Sequence, residues 1–226
     1  MTRSRPVVAI DGPGAAGKST VARRLAEVLG FEYVNTGAMY RGVALAAREA
    51  GIDADDPEAE RKLDALLERT RIDFSGGQIM LNGRDVSAEI GTPELGEIAS
   101  RLSMLGVVRE RMLDLQRAAG ARGGVVMEGR DIGSVVFPDA DVKFFLDASP
   151  EVRAERRWRE LAAHGIEISR EQVLAQLQER DRRDSGRELA PLRPAPDAEV
   201  IDASRMSIEE VVTLMAERVR ARDGAA

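Results

Sequence analysis

The sequence feature that most constrains the fold is a stretch of nine residues near the start, Gly12-Pro13-Gly14-Ala15-Ala16-Gly17-Lys18-Ser19-Thr20. An apolar run at residues 7–10 precedes it, and a helix-patterned run at residues 21–29 follows it. The stretch fits G-x-x-x-x-G-K-[ST], in which glycines let backbone N–H groups surround phosphate oxygens and the next helix points its positive end at the anion. The lysine of this motif reaches the β- and γ-phosphates, and its serine hydroxyl can ligate Mg²⁺. The stretch therefore predicts a strand–loop–helix unit that binds a nucleoside triphosphate.

A dinucleotide site is the alternative interpretation, because the same glycines fit G-x-G-x-x-G. That fingerprint needs an acidic residue at the end of the next strand, where it binds the ribose. The next strand, at residues 31–34, has Glu32 near its start and is followed by Asn35. Lys18 would also place a positive charge without a role in the first turn of a helix, against the helix dipole. The sequence therefore favours a nucleoside triphosphate over NAD.

Composition excludes several classes of function. The chain has 226 residues, enough for one large or two small domains, and a formal net charge of −6, which argues against a broad nucleic-acid or membrane surface. It has no cysteine, so disulfides and cysteine–metal sites are excluded. The one histidine, His164, lies in a charged stretch and is expected to be a solvated surface residue. A cytoplasmic, monomeric enzyme is the expectation.

Apolar runs that alternate with helical patterns predict an α/β fold: a five-stranded parallel sheet with helices on both faces. The strands are expected at residues 7–10, 31–34, 124–127, 142–146 and 199–202. The helices that follow the loop helix are expected at about 37–50, 57–70, 93–102, 105–120, 150–164, 169–184 and 207–221. For the second of these, Asp56 is the expected N-cap and Pro57 the first helical residue. Residues 71–92 instead carry short alternating runs and glycine turns, which predict a small antiparallel insertion.

Polar side chains follow the predicted strands, at the edge of the sheet where open α/β proteins bind ligands. They are Asn35, Thr36, Tyr40, Arg41, Glu128, Arg130, Asp131 and Asp147. Arg130 is suited to a bidentate contact with a phosphate, and Asp131 to reading a hydroxyl or amino group; a surface ion pair is the alternative for both. Asp147 could organise a metal or cap the next helix, although Ser149 before Pro150 is the better cap.

Two arginine-rich segments add candidate phosphate ligands. Arg180, Asp184 and Arg187 are spaced four and three residues apart, so a helix would place them on one face. Arg153 and Arg157 are spaced four apart on another predicted helix. Such runs are usually solvated faces, but an arginine pair that closes over phosphates would stabilise charge in phosphoryl transfer.

Taken together, these motifs resemble the bacterial cytidylate kinases, within the nucleoside monophosphate kinase family. The resemblance runs in order through most of the chain. It rests on residues 12–20, Asn35-Thr36-Gly37-Ala38-Met39-Tyr40-Arg41, residues 129–140, residues 179–187, and Ala190-Pro191-Leu192. The loop alone would indicate only a superfamily, whereas residues 129–140 and the arginine-rich segment at residues 179–187 are far more specific. Thr36 stands where some members have serine and Glu128 where some have aspartate, which leaves the role of Glu128 open.

The resemblance implies a core at about 1–70, 93–150 and 190–226, a monophosphate-binding insertion at about 71–92 and a mobile lid at about 151–189. It implies that ATP binds residues 12–20, and that Lys18, Arg130 and the lid residues Arg153 and Arg157 are catalytic. Around the substrate phosphate it places Thr36, Arg41, Arg109 and Arg130, with Tyr40 nearby. For reading cytosine and sugar it implies Ser100, Asp131, Arg180 and Asp184, with Arg187 on the same side.

The function expected from this resemblance is transfer of the γ-phosphate of Mg²⁺·ATP to CMP and dCMP, with Ser19 as the metal contact through phosphates and water. ATP and CMP or dCMP are the expected partners, without a nucleic-acid polymer or membrane. A kinase for another small acceptor (UMP, AMP, shikimate or dephospho-coenzyme A) and a non-catalytic nucleotide-binding module remain alternatives. A GTPase switch would need an N/T-K-x-D motif; the nearest match, at residues 61–64, has the wrong first residue.

Overall fold

The structure is a computed structural model that describes residues 3, 5–75 and 77–223. The strands in chain order are β1 (Val7–Asp11), β2 (Glu32–Asn35), β3 (Ile72–Ser75), β4 (Gln78–Leu81), β5 (Arg84–Asp85), β6 (Val125–Glu128), β7 (Val142–Asp147) and β8 (Glu199–Asp202). The helices are α1 (Lys18–Leu29), α2 (Thr36–Glu49), α3 (Ala59–Glu68), α4 (Pro93–Leu102), α5 (Gly106–Gly120), α6 (Pro150–Ala163), α7 (Arg170–Ser185) and α8 (Ile208–Asp223). Short helical turns also occur at Glu89–Gly91 and Ile132–Val136.

The five predicted long strands form one sheet in the order β2-β6-β1-β7-β8, and β1 pairs in parallel with both β6 and β7. Every residue of β1 and β6 is buried. Such continuous apolar runs form the centre of a parallel sheet because helices cover both faces. The predicted α/β class is therefore confirmed.

The predicted antiparallel insertion is also confirmed. Strands β3, β4 and β5 form a separate three-stranded sheet, with Ile72 opposite Leu81 and Met80 opposite Asp85. Asn82 and Gly83 make the second turn with positive φ, as an Asn-Gly hairpin requires.

The backbone divides into two compact units, one of Met1–Glu32 with Gly123–Ala226 and one of Tyr33–Arg122. The first contains the predicted phosphate loop, strands β6 to β8 and helices α6 to α8. The second contains helices α2 to α5 and the antiparallel sheet. None of the helices within the described ranges is long and apolar enough to cross a membrane.

One predicted helix start is wrong. Helix α3 begins at Ala59 with Glu58 at the N-cap position, rather than at Pro57 after Asp56. The Asp56 carboxylate instead accepts a hydrogen bond from the Glu58 backbone N–H at 2.8 Å and pairs with Lys62 at 2.5 Å. The Glu58 bond is one that an N-cap side chain can make. The Ala59 N–H, however, bonds the Asp56 backbone oxygen three residues back at 2.8 Å. That bond closes a tighter turn than the α-helix, so the α-helix begins only at Ala59.

Candidate active site

The loop between β1 and α1 has the backbone conformation that its glycines were expected to supply. Gly12 has φ 149°, and a Cβ placed there would lie 2.0 Å from the backbone oxygen of Leu146. Gly17 has φ 100° at the N-cap position of α1, and Ala15 between them has φ 59°. Only glycine fits Gly12, because both the close approach to β7 and the positive φ exclude a side chain. The loop thus brings backbone N–H groups to the N-terminus of α1, the arrangement that binds phosphates.

Lys18 is buried at the root of this loop with 5% of its surface exposed. Its ammonium group donates to the Pro13 backbone oxygen at 2.6 Å. Burial, followed by repulsion from Arg130 and Arg180, lowers the pKa of Lys18 to about 7, although Glu128 and Asp11 partly oppose the shift. A polyphosphate would add further counter-charge to this ammonium group.

Ser19, the expected metal contact, is exposed in the first turn of α1. Among the residues that the structure describes, no group of three or more His, Cys, Asp or Glu side chains is placed to hold a metal ion. A serine hydroxyl at this position of the motif is an oxygen ligand of the kind that Mg²⁺ accepts beside nucleotide phosphates.

Arg153, expected to contact phosphate, is fixed against the loop. It is 5% exposed, and each of its three nitrogens has a partner. Its Nε donates to the Ala148 backbone oxygen at 3.0 Å and its Nη1 to the Gly14 backbone oxygen at 3.2 Å. Its Nη2 pairs with the Asp181 carboxylate at 2.7 Å. In this conformation Arg153 therefore links α6, α7 and the loop.

Arg157, the second expected catalytic arginine of α6, pairs at 2.8 Å with Glu160 on the same helix. Its neighbour Arg156 contacts the loop instead, donating to the Ala16 backbone oxygen at 3.0 Å and to the Ala203 backbone oxygen at 2.7 Å. The four-residue spacing places Arg153 and Arg157 on one helix, but it does not indicate that Arg156, rather than Arg157, contacts the loop.

Three of the predicted substrate residues surround the carboxylate of a fourth. Asp184 on α7 is fully buried. Arg130 donates from Nε to its Oδ2 at 3.1 Å, Arg187 pairs with its Oδ1, and Arg180 Nε lies 3.9 Å from Oδ2. Burial raises the pKa of Asp184, but Arg130, Arg187 and Arg180 together outweigh burial and hold the pKa below its ordinary value. The cluster therefore keeps a carboxylate ionised among cations that could bind an anionic ligand.

Glu128 and Asp131 are both buried at the exit of β6, at 4% and 7% exposure. The backbone oxygen of Asp131 accepts from the N–H groups of Val135 and Val136, so the turn Ile132–Val136 begins directly after it. Glu128 and Arg130 influence Lys18 electrostatically. Asp131 influences Asp11, the residue that ends β1.

Asp147, one of the two candidate caps of α6, does not cap this helix. Ser149 does so, accepting from the Val152 N–H at 3.4 Å, with Pro150 in the first turn. The Asp147 carboxylate accepts from the adjacent Ala148 N–H at 2.8 Å.

Helices α6 and α7 pack on each other and on the loop. Their buried cluster consists of Ala154, Leu161, Val173 and Leu177, and Ala15 of the loop packs against it. A Cβ on Gly14 would lie 3.5 Å from the Leu177 Cδ2. The apolar contact and the Arg153 hydrogen bond together place these two helices directly beside the phosphate-binding residues. His164, at the end of α6, is exposed as expected.

The remaining predicted substrate residues lie in the other unit, Tyr33–Arg122. Thr36 is buried at the start of α2, while Tyr40 and Arg41 are half-buried in its first two turns. Ser103 hydrogen-bonds to both Ser100 and Arg109. The Ser103 hydroxyl donates to the Ser100 backbone oxygen at 2.7 Å, and Arg109 Nη1 donates to the Ser103 backbone oxygen at 3.4 Å.

The Ser100 hydroxyl is buried, and the described residues offer it no hydrogen-bond partner. An unsatisfied buried hydroxyl is costly unless a ligand completes it.

Three residues near the loop were not singled out from the sequence: Asp11, Arg156 and Asp181. Asp11 ends β1, so the strand-end rule could have found it. Arg156 and Asp181 lie in charged helices where spacing alone does not select them. Their roles depend on contacts with Ala16, Ala203 and Arg153 that are distant in sequence.

Comparison with known proteins agrees with this geometry. The family described as cytidylate kinase matches residues 8–221. Cytidylate kinase of Pelotomaculum thermopropionicum is 50% identical over 220 residues, which cover 96% of this chain and 97% of that protein. Cytidylate kinase of Thermotoga neapolitana is 46% identical over 218 residues, covering 95% of this chain and 98% of that protein.

Among solved structures, shikimate kinase from Acinetobacter baumannii in complex with shikimate aligns with a TM-score of 0.50 and 16% identity, covering 97% of this chain and 95% of that one. At this identity the likeness supports the fold only.

Proposed function

The chain belongs to the cytidylate kinase family, and we propose that it transfers the γ-phosphate of ATP to CMP and dCMP, giving CDP and dCDP. The observation that carries the proposal is the near-full-length match to proteins named cytidylate kinase, at up to 50% identity. The phosphate loop and the arginine cluster around Asp184 supply the chemistry that such a transfer needs.

The donor triphosphate would bind the N–H groups of the loop at residues 12–20. Lys18 would exchange the Pro13 oxygen for β- and γ-phosphate oxygens and become fully protonated there. An oxygen of the acceptor phosphate attacks the γ-phosphorus in line, and the bond to the β,γ-bridging oxygen breaks. Both oxygens are anionic, so the protein needs no strong general base and acts by positioning and by neutralising charge.

The acceptor phosphate would bind Thr36, Arg41, Arg109 and Arg130, with Tyr40 close by. Ser100, Asp131, Arg180 and Asp184 would read the cytosine and sugar, together with Arg187. The buried, unsatisfied hydroxyl of Ser100 supports this role, because a base or sugar group would complete it. In the described conformation the Asp184 carboxylate is occupied by arginines, so it reaches a sugar only when α7 moves or an arginine turns to the phosphate.

Residues 151–189 would act as the lid. Arg153 is bound to Gly14 and Asp181, so direct contact between Arg153 and phosphate requires it to leave these partners. Closure of α6 and α7 over the loop would exclude water, which otherwise competes with CMP as acceptor.

Magnesium would be held by the ATP phosphates, water and the Ser19 hydroxyl. When bound, it would neutralise charge on the transferring phosphoryl group. The residues fit this arrangement, because Ser19 is exposed at the mouth of the loop and the described chain has no carboxylate cage for a permanently bound ion.

The test is an acceptor panel in which ADP formation from Mg²⁺·ATP is measured with CMP, dCMP, UMP, AMP and shikimate. We expect the highest kcat/KM with CMP and dCMP. Turnover should fall by about 10²- to 10³-fold or more in Lys18→Ala, as removal of a charge-stabilising donor usually causes. A clear preference for UMP, AMP or shikimate would identify a different acceptor, and ATP binding without ADP formation would identify a non-catalytic module.

A monomer in the cytoplasm completes the proposal. Light scattering of the purified protein would test the monomer, which predicts one species of about 25 kDa, in line with the chain mass of 24.6 kDa.

A further inference from the structure

The side chain of Asp11 makes a contact that the proposed reaction does not explain. Asp11 is the last residue of β1 and is 4% exposed. Its Oδ1 accepts from the Ile132 backbone N–H and its Oδ2 from the Gly133 backbone N–H, both at 2.8 Å. One buried carboxylate therefore satisfies two consecutive backbone donors that lie more than 120 residues further along the chain.

The Asp11 contact links the start of the phosphate loop to the segment that follows β6. Asp11 directly precedes Gly12 of the phosphate loop, whereas Ile132 directly follows Asp131. Strands β1 and β6 run side by side up to this point, and the Gly129 N–H donates to the Ile10 backbone oxygen at 3.0 Å. Beyond these paired residues, the Asp11 carboxylate bonds the backbone that directly follows Arg130 and Asp131.

The packing around Gly133 leaves little room for any other arrangement. A Cβ at Gly133 would lie 3.1 Å from Lys143 Cδ and 3.5 Å from the Asp11 Oδ2. Two bonds at 2.8 Å, on a turn packed this closely, hold the backbone after Asp131 in one position.

We propose that Asp11 is a positioning residue for Arg130 and Asp131, through which the phosphate loop and the acceptor-binding turn keep a fixed distance. The inference rests on the proposed function, because that function assigns Arg130 and Asp131 to the acceptor. Reacting groups must lie within fractions of an ångström of their productive positions, and a displacement of about 1 Å can cost about 100-fold in rate.

The geometry requires a side chain with two acceptor oxygens, not merely one with the shape of aspartate. Asparagine has the same shape, but it offers one acceptor oxygen and a terminal amide that would face one of the two N–H donors. Asp11→Asn therefore removes one hydrogen bond and places the side-chain amide donor against a backbone N–H donor. It leaves no cavity.

Asp141→Asn is a matched control. The Asp141 carboxylate accepts from the Val7 N–H at 2.8 Å, so it bonds the same strand at its opposite end.

The experiment measures KM for CMP, KM for ATP and amide hydrogen exchange over residues 130–136 in the full chain. In Asp11→Asn we expect kcat/KM for CMP to fall about 10- to 100-fold, KM for ATP to change less than about 3-fold, and exchange at Ile132 and Gly133 to accelerate. Asp141→Asn should leave all three unchanged. Equal loss for both nucleotides, or unchanged CMP kinetics with unchanged exchange, would overturn the proposal.

Gly133→Ala alters the residue that donates to the Asp11 carboxylate, and it serves as the test if Asp11→Asn does not fold. Its added methyl group would lie 3.1 Å from Lys143 Cδ, closer than an ordinary contact, and at van der Waals distance from the Asp11 oxygen. We expect the turn to shift, with faster exchange at Ile132 and Gly133 and the same acceptor-selective defect. Normal CMP kinetics despite faster exchange would refute the role of Asp11. If the wild type instead prefers another acceptor, the proposed function fails. The role of Asp11 is then decided by the kinetics of that acceptor and by the same exchange measurement.

Discussion

The Nε of Arg130 lies 3.1 Å from Oδ2 of Asp184, 54 residues further along the chain, and this contact joins the exit of β6 to the end of α7. Arg187 occupies the other oxygen of the same carboxylate, and Arg180 lies just beyond hydrogen-bond distance. The fully buried Asp184 carboxylate is thus paired with arginines that are expected to bind an anionic substrate. Its charge therefore matters both for stability and for how these arginines are held.

Neutralising this carboxylate should be strongly destabilising. Asp184→Asn leaves three arginines around a neutral side chain, and loss of one partner of a buried ion pair costs about 3–5 kcal/mol. Glu179→Gln is the control on the same helix: Glu179 pairs with Arg182 at 2.6 Å, but both are exposed, so the cost should stay below about 1 kcal/mol. Urea denaturation at pH 7 measures both. Similar small losses in the two variants would show that the Asp184 charge does not hold the cluster.

The pH dependence of stability should carry a contribution from Asp11. Burial raises its pKa to about 6 from an ordinary value of 3.8, although the Gly133 and Ile132 N–H groups oppose the shift. A raised folded-state pKa means that the contribution is complete below pH 3.8 and is lost as the pH rises through 6.

Relative to Asp11→Asn, which does not titrate, the wild type should therefore lose about 2 kcal/mol of unfolding free energy between pH 4.5 and 7.5. Denaturation curves of both proteins at four pH values give this difference directly. A difference that stays constant or grows with pH would mean that Asp11 does not have a raised pKa.

Nucleotide binding should take up a proton through Lys18. With its pKa lowered to about 7 by burial, the ammonium group is largely deprotonated at pH 8 in the free protein. Phosphate groups near Lys18 favour its charged form, and they are themselves ionised at pH 8. Calorimetry of Mg²⁺·ADP binding in buffers of different ionisation enthalpy should therefore give an uptake of roughly 0.5 to 1 proton. Lys18→Met should bind more weakly without uptake, and the same uptake in that variant would assign the proton to another group.

Local signals predicted most of the fold because they do not depend on distant contacts. The apolar runs of β1 and β6, the glycine spacing of the loop and the Asn82-Gly83 turn each determine their own backbone. The predicted start of α3 is two residues too early, because a tight turn from Asp56 to Ala59 precedes the α-helix.

The site was only partly predictable. Strand ends indicated Arg130 and Asp131, and helical spacing placed Arg180 and Asp184 on one face. The carboxylate of Asp11, however, acts on N–H groups more than 120 residues away, and no spacing rule encodes that pairing. The family resemblance supplied roles for individual side chains, but it did not indicate that Arg153 is tied to Gly14 in this conformation.

Two glycine-to-alanine substitutions should have opposite effects on stability. At Gly12 the added Cβ would lie 2.0 Å from the Leu146 oxygen with φ at 149°, so the loop must leave β7. We expect Gly12→Ala to lose at least about 3 kcal/mol, comparable to overpacking a core, together with nucleotide binding.

Gly96, in the middle of α4, has no atom within 4 Å of an added Cβ and ordinary helical φ. Gly96→Ala should therefore stabilise the protein by about 0.5–1 kcal/mol, because it removes backbone entropy from the unfolded chain. Thermal unfolding with and without ADP separates the cases: Gly12→Ala should melt lower and gain nothing from ADP, whereas Gly96→Ala should melt higher and keep the full shift. An ADP shift of normal size in Gly12→Ala would contradict the tight approach of the loop to β7.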